Sequence, residues 1–158
     1  MIDSTIVRAY QHAAGAQKSG AQAIGRSRGG PSTKIHAAMD ARGNQVRVIM
    51  TAGQGADITQ ADALNAGFVA DKVLADKGYD ADAFVVKITG QGAHAVIPPR
   101  SNRIAQRSVD WHVYKDRNLV ARFVNRLKQF RRIATRYDKL DTSFLCVIFL
   151  VCSVIWLL

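Results

Sequence analysis

The sequence predicts a mixed α/β fold in which helices flank a sheet. Apolar residues alternate with polar ones in several strand-length segments, and one longer segment repeats its apolar residues every three or four positions. Strand and helix segments also follow one another along the chain, as in mixed sheets. The 158 residues, 48% of them hydrophobic, can bury a sizeable core, so wholesale disorder is excluded. We expect residues 1–158 to form a single domain.

The first part of the chain contains a strand, a loop and a hairpin. Met1–Thr5 has the character of a strand cut short, with Asp3 at its end. Residues 9–31 are rich in glycine, carry basic residues and have no acid, which predicts a flexible basic loop. This loop is either a solvated linker or a segment that contacts DNA. Ser32–Met39 and Gln45–Thr51 then flank a turn over residues 40–44, and their alternating pattern predicts a β-hairpin.

The middle of the chain alternates between short helices and short strands. Asp57 and Thr59 are residue types that cap helix N-termini, and the double proline at Pro98 ends the last strand. The elements expected here are a helix from these caps to about Gly67, a strand Val73–Ala75, a helix over residues 81–88 and a strand Ala93–Ile97.

A helix that begins near Lys115 has two different faces. One face is apolar and is expected to pack on the core; it consists of Leu119, Phe123, Leu127 and Phe130. The opposite face is formed by residues that lie within about 60° of one another at about 100° per residue. These residues are Tyr114, Arg117, Ala121 and Lys128. From the pattern alone, the second face is either a solvated basic surface or a binding surface.

The C-terminal segment, residues 143–158, contains 16 residues and no charge. A membrane-spanning helix needs about 20 apolar residues, so we expect a buried core helix, with a membrane anchor or an aggregation-prone strand as alternatives. Both cysteines, Cys146 and Cys152, lie here and are interpreted as small buried hydrophobic residues. With no disulfide or zinc pattern and no apolar N-terminal signal, we expect a reduced, cytoplasmic compartment.

The charge is strongly positive and concentrated in one region. Lys and Arg outnumber Asp and Glu by 22 to 12, which gives a net charge of +10. Residues 100–140 hold 12 of these bases and only three acids, so a polyanion, with nucleic acid ahead of a membrane surface, is the expected partner. All twelve acids are aspartates, and the absence of glutamate excludes any mechanism that requires one.

Several motifs resemble those of bacterial insertion-sequence transposases of the Asp-Asp-Glu class. The similarity is greatest to the group whose third motif reads Tyr-x2-Arg-x3-Glu-x6-Lys. The matching stretches span nearly the whole chain in the family's order and approximate spacing. They are Asp3–Thr5, Gly25–Gly30, Asp76–Asp80, Ile97–Arg100, the Tyr114-x2-Arg117-x3-Ala121-x6-Lys128 pattern and Lys128–Asp138.

The resemblance implies a ribonuclease-H-like fold, incomplete at its N-terminal strand, and metal-dependent phosphodiester chemistry. It makes Asp3 and Asp76 the first two catalytic carboxylates and the ligands of two Mg²⁺ or Mn²⁺ ions. It also implies double-stranded DNA as the partner, at element ends and target, and a homo-oligomer on the nucleoid rather than on a membrane. The residues expected to contact phosphates are Tyr114, Arg117, Lys128, Arg131 and Arg132.

The sequence departs from the family at two places. The third carboxylate falls on Ala121, whose methyl group cannot ligate a metal, so we expect cleavage to be impaired. Asp116 points about 140° away on the helix and is a poor replacement, whereas Asp80 and Asp82 stay open as candidates. We also expect the family's upstream DNA-recognition segment to be missing, so that the chain is either the downstream reading frame of an element split in two or a degraded copy. The alternatives are a non-catalytic DNA-binding remnant and a small membrane-attached basic protein.

Overall fold

The computed structural model describes residues 1–15 and 22–157, which form the predicted mixture of strands and helices. Short 3-10 turns at Gln11–Gly15, Asp57–Gln60, Lys77–Tyr79 and Lys115–Arg117 lie between the regular elements. The strands are β1 Ile2–Ala9, β2 Gly25–Ser27, β3 Gly30–Met39, β4 Gln45–Ala52, β5 Lys72–Leu74, β6 His94–Val96 and β7 Thr135–Arg136. The helices are α1 Ala61–Asn65, α2 Asp82–Gly90, α3 Trp111–Tyr114, α4 Asn118–Gln129, α5 Arg131–Ala134 and α6 Asp141–Leu157.

The main sheet has β3 and β1 at its centre. β1 pairs antiparallel with β3 along nearly its whole length, and β7 pairs parallel with the last residues of β1. β2 and β4 both pair antiparallel with β3, at different parts of that strand. β5 and β6 form a separate parallel pair. The predicted hairpin is therefore confirmed as β3 and β4, joined by a turn in which the Asp40 carboxylate accepts from backbone N–H groups.

Two expectations for the N-terminal region are wrong. The first strand is not cut short at Asp3: it runs from Ile2 to Ala9, with Asp3 at its second position. The extended run continues because Thr5, Ile6 and Val7 are β-branched and pair with β3. Of the predicted loop over residues 9–31, residues 16–21 lie outside the described part. The rest of that segment contains a 3-10 turn and strand β2, and β3 begins at Gly30.

The predicted elements in the middle of the chain are confirmed to within a residue or two. The expected helix before Gly67 is split into the 3-10 turn at Asp57–Gln60 and the short helix α1. The prediction that Asp57 or Thr59 caps it is wrong, because neither the turn nor α1 has a side-chain cap hydrogen bond at its N-terminus. Strands β5 and β6 and helix α2 lie where the apolar pattern places them.

Apolar residues of the main sheet are buried on both of its faces. Neighbouring residues Ala37 and Ala38 of β3 point to opposite sides, as the period of a strand requires. The face that includes Ala37 packs against α4, α5 and α6. The face that includes Ala38 packs against α1, α2 and the β5–β6 pair. Asp3, one position beyond the buried Ile2, thus lies on a central strand between two packed layers.

Helix α4 has the predicted apolar face, with one correction. Phe123 and Leu127 are buried together with Val120, and Leu119 is only half-buried. Phe130 is 38% exposed, so its assignment to the core face is wrong. The reason is that α4 ends at Gln129 and Phe130 has an extended backbone, which takes its side chain off the helical stripe.

Helix α6 is a core helix on one face. Phe144, Ile148 and Val151 are buried, as is Cys152, whose pKa burial raises to about 11. The expectation that Cys146 is buried is wrong: it lies on the exposed face, since it follows Phe144 by only two positions on the helix. None of the helices in the described residues has the length and apolar character needed to cross a membrane.

Candidate active site

The structure brings Asp3 and Asp76 into one site. Asp3 lies near the start of β1, and Asp76 follows β5, where its side chain accepts the Gly78 N–H at 2.8 Å and caps the next turn. The two carboxylates are close enough for the charge of Asp76 to raise the pKa of Asp3. Residues separated by more than seventy positions thus lie near enough for their charges to interact.

Both oxygens of the Asp3 carboxylate have hydrogen-bond donors. Oδ1 accepts the N–H of Ser4 at 2.8 Å, and Oδ2 accepts from Arg117 Nη1 at 2.8 Å. Burial raises the pKa of Asp3, and these two donors oppose that effect without cancelling it. The negative charges of Asp76 and Asp57 raise the pKa further. Asp3 is therefore a partly desolvated acid held in a defined orientation.

The polar face predicted for the basic helix lies beside these acids. Arg117 contacts Asp3, and its guanidinium carbon is 5.6 Å from the centroid of the Tyr114 ring. Ala121 and Lys128 follow on the same face, and all four side chains are half-buried. The methyl group of Ala121 therefore lies one helical turn beyond Arg117 on this face.

Sequence reasoning missed a third acidic group at this site. The Oδ1 atom of Asp57 accepts from the Ser4 hydroxyl at 2.7 Å and from Lys34 Nζ at 2.9 Å. Burial favours the neutral acid, but these hydrogen bonds outweigh it and lower the pKa of Asp57. Lys34 is nearly buried and also donates to the Gly55 carbonyl at 2.6 Å. One available signal was Lys34 itself, a single lysine within the strand-forming segment Gly30–Met39.

Tyr79 lies among the acids. Its side chain is fully buried, and its hydroxyl lies close to the hydroxyl of Ser4. Burial raises the pKa of Tyr79, and the charges of Asp57, Asp3 and Asp76 raise it further, so the hydroxyl stays protonated. Gly78 permits this crowding, because a Cβ there would lie 2.8 Å from Asp76 Oδ1 and 3.2 Å from Asp57 Oδ2.

The basic strip is partly neutralised inside the protein. Arg103 and Arg107 pair with Asp80, and Arg132 pairs with Asp138 at 2.9 Å while staying largely exposed. Arg136 is fully buried and donates to Thr33 Oγ1 at 2.8 Å. The basic residues of the strip that are exposed outside these pairs are Arg100, Lys115, Arg122, Arg126, Arg131 and Lys139. Only part of the positive charge counted in the sequence is therefore open to a polyanion.

Asp80 and Asp82, which the sequence left open as replacements for the third acid, bond to these arginines. The Asp80 carboxylate is buried against Arg103 and Arg107, while Asp82 is largely exposed and pairs with the same two side chains. Their charges are thus compensated away from Asp3. Neither has the character of an additional ligand at the acidic centre.

A mixed α/β fold with acids beside a basic helix is consistent with a transposase catalytic domain, and the chain belongs to the transposases with a DDE domain. The family model described as "Transposase DDE domain" matches residues 1–156. A Brucella ovis protein named "Putative transposase for insertion sequence element IS6501" is 38% identical over 130 residues, which cover 80% of this chain and 98% of that protein. No solved structure matches the chain significantly. The family resemblance seen in the motifs is thus confirmed.

The side chains of this site do not fit the pair of divalent cations that the family implies. Such ions are hard cations that need several oxygen ligands from different elements. Within residues 1–15 and 22–157, no group of three or more acidic, histidine or cysteine side chains is arranged to hold a metal ion. Position 121 offers a methyl group, and Asp3 already accepts from Ser4 and Arg117.

Proposed function

We propose that this chain is the catalytic domain of an insertion-sequence transposase, with a ribonuclease-H-like fold over residues 1–158, in which DNA cleavage is impaired. One observation supports the proposal: Asp3, whose pKa the charge of Asp76 raises, bonds to Arg117 on the helix face that also carries Ala121, the position where the family resemblance expects the third carboxylate. An intact site of this family would hold two Mg²⁺ or Mn²⁺ ions for hydrolysis and strand transfer. The activity that this chain retains in the proposal is the binding of DNA phosphates.

The proposed DNA surface follows the basic helix and the segment after it. Lys128 lies on the polar face of α4, and Arg131 is exposed just beyond its end. Arg132 bonds to Asp138 and Arg117 to Asp3 through one guanidinium nitrogen each, so part of their positive charge is already compensated before they contact a phosphate. Tyr114 would act as a stacking support for Arg117. Element ends and target DNA are the proposed ligands, in the cytoplasm at the nucleoid.

A second candidate function is a DNA-binding remnant without catalysis. The methyl group at Ala121 favours it, since it removes a metal ligand and leaves the exposed bases in place. Such a chain would occupy element ends or co-assemble with an intact transposase, as a homo-oligomer or with an upstream DNA-recognition segment. It differs from an impaired enzyme in having no residual cleavage.

A nicking assay on element-end DNA separates the two candidates. An impaired enzyme should show weak Mg²⁺-dependent cutting by the wild-type chain, and a remnant none. In either case we expect Ala121→Glu to raise cutting by at least about tenfold, because the substitution supplies the missing ligand. Asp76→Ala in that background should abolish the gain. Clear cutting by the wild type that disappears with Asp76→Ala would overturn the proposed impairment. A folded, DNA-binding Ala121→Glu protein without any gain would contradict the placement of residue 121.

Phosphate contacts by Lys128 and Arg131 are testable through the salt dependence of binding. Each contact releases counterions, so Lys128→Gln and Arg131→Gln should each reduce the slope of log affinity against log salt by about 0.9. Fluorescence anisotropy with a labelled duplex at increasing KCl concentration measures this slope. Lys72→Gln is the matched control, since Lys72 is exposed at the opposite end of β5 from Asp76. Equal slopes for all three variants would rule out the proposed surface.

A further inference from the structure

The guanidinium group of Arg117 lies against the Asp3 carboxylate, where a metal cation could otherwise bind. Arg117 Nη1 is 2.8 Å from Asp3 Oδ2, and both side chains are largely shielded from solvent. The second oxygen of Asp3 is occupied by the N–H of Ser4. A charge-assisted hydrogen bond in a partly buried place is strong and directional. Asp3 therefore has an internal counter-ion in the folded chain.

Position 121 lies one helical turn beyond Arg117. Arg117 and Ala121 are four residues apart on adjoining helical turns, and side chains at this spacing are neighbours. A carboxylate at 121 would lie within reach of the guanidinium and share its charge. With a methyl group there, Arg117 bonds to Asp3, across 114 positions of sequence, and rests on the Tyr114 ring.

We infer that the Arg117 guanidinium is an internal counter-ion that prevents a metal ion from binding to Asp3. It takes this role because residue 121 is an alanine. The inference rests on the proposed function and deepens it, since it says why the remaining two carboxylates do not recruit a metal. The neighbouring acid is compensated in the same way, because Lys34 bonds to Asp57. A divalent ion at Asp3 would have to displace the guanidinium or accept its repulsion at close range. Arg117 is a positioning residue in this scheme.

The test measures binding of Mn²⁺ alone, without DNA or turnover, by isothermal titration calorimetry. We expect Arg117→Gln to bind Mn²⁺ about tenfold more tightly than the wild type, because it frees Asp3 Oδ2. Arg122→Gln is the matched control: it removes the same charge from the exposed side of the same helix. Its affinity should stay within about twofold of the wild type, since exposed charges are screened.

Ala121→Glu extends the test. With Arg117 present, this variant should gain Mn²⁺ affinity through the new ligand and through its competition for the guanidinium, and Arg117→Gln should then add less than it does in the wild-type background. If Arg117→Gln shows no cooperative thermal transition, Arg117→Met takes its place, with the same expected gain in Mn²⁺ affinity. Methionine keeps an unbranched side chain over Tyr114.

Equal Mn²⁺ affinities for Arg117→Gln, Arg117→Met and Arg122→Gln would overturn the inference. DNA binding by the wild-type chain is measured separately, by the anisotropy assay described above. Loss of that binding would overturn the proposed function and leave the Mn²⁺ comparison unchanged. The two failures are thus distinguishable.

Discussion

Asp80→Ala is expected to lower the free energy of unfolding by about 2–4 kcal/mol, because it leaves two arginines beside an emptied pocket. The Asp80 carboxylate is fully buried; it accepts from Arg103 Nε at 2.7 Å, from Arg107, and from the Arg100 N–H at 2.8 Å. These bonds tie the basic segment after β6 to the turn that follows Asp76. Urea unfolding monitored by circular dichroism measures the loss.

Asp82→Ala is the control for Asp80→Ala. Asp82 pairs with the same two arginines, but its side chain is 75% exposed, so its loss should cost less than about 1 kcal/mol. If both variants lose equal stability, net charge and not the buried carboxylate sets the effect.

The Asp80 variant should also release Arg103 and Arg107 toward solvent, which predicts stronger non-specific DNA binding.

The Asp80 contribution should depend on pH in a defined direction. Burial favours the neutral acid, but the hydrogen bonds from Arg100, Arg103 and Arg107 outweigh it and lower the pKa of Asp80. The stabilisation is then fully present above the unfolded-state pKa of about 3.9 and is lost as the pH falls through the lower folded pKa. Urea unfolding of wild type and Asp80→Ala at a series of acidic pH values should show their difference in stability shrinking. A difference that grows toward acid pH would contradict this assignment.

The sequence predicted best the elements whose pattern is local. The β3–β4 hairpin and the apolar stripe of α4 follow from alternation and from three- and four-residue spacing, which need no knowledge of the rest of the chain. β2 and β7 have only three and two residues, too few for any period to be visible. Their place is set by pairing with β3 and β1, which sequence patterns do not encode.

Only those residues of the site that lie within recognisable motifs were predicted from the sequence. Asp3 and Asp76 were found from the motif positions, whereas Asp57 was assigned to a helix cap because Asp is common there. Its actual partners, Ser4 and Lys34, lie 53 and 23 positions away, and no local pattern reports such contacts. Likewise, the sequence counts Arg136 as part of a basic surface, although its side chain is buried against Thr33 and Phe144.

Phe144→Ala is expected to cost about 3–5 kcal/mol of unfolding free energy, the range for removing a fully buried phenylalanine. Phe144 lies in the core cluster that also contains Phe123 and Leu127 of α4, and the guanidinium carbon of Arg136 is 5.2 Å from its ring centroid. Its loss leaves a cavity behind α4 and removes an aromatic partner from a buried charge. Arg117 directly precedes α4. Disturbing the packing of α4 should therefore also weaken the contact between the Arg117 side chain and Asp3.

Phe149→Ala on the same helix separates burial from the mere loss of a phenyl ring. Phe149 is 42% exposed, so its replacement should cost less than about 1.5 kcal/mol. Thermal and urea unfolding of the two variants give the comparison directly. Similar losses for both would mean that the outer face of α6 is covered in solution, whereas the expected contrast places the stability of the site in the cluster that joins α6, α4 and β1.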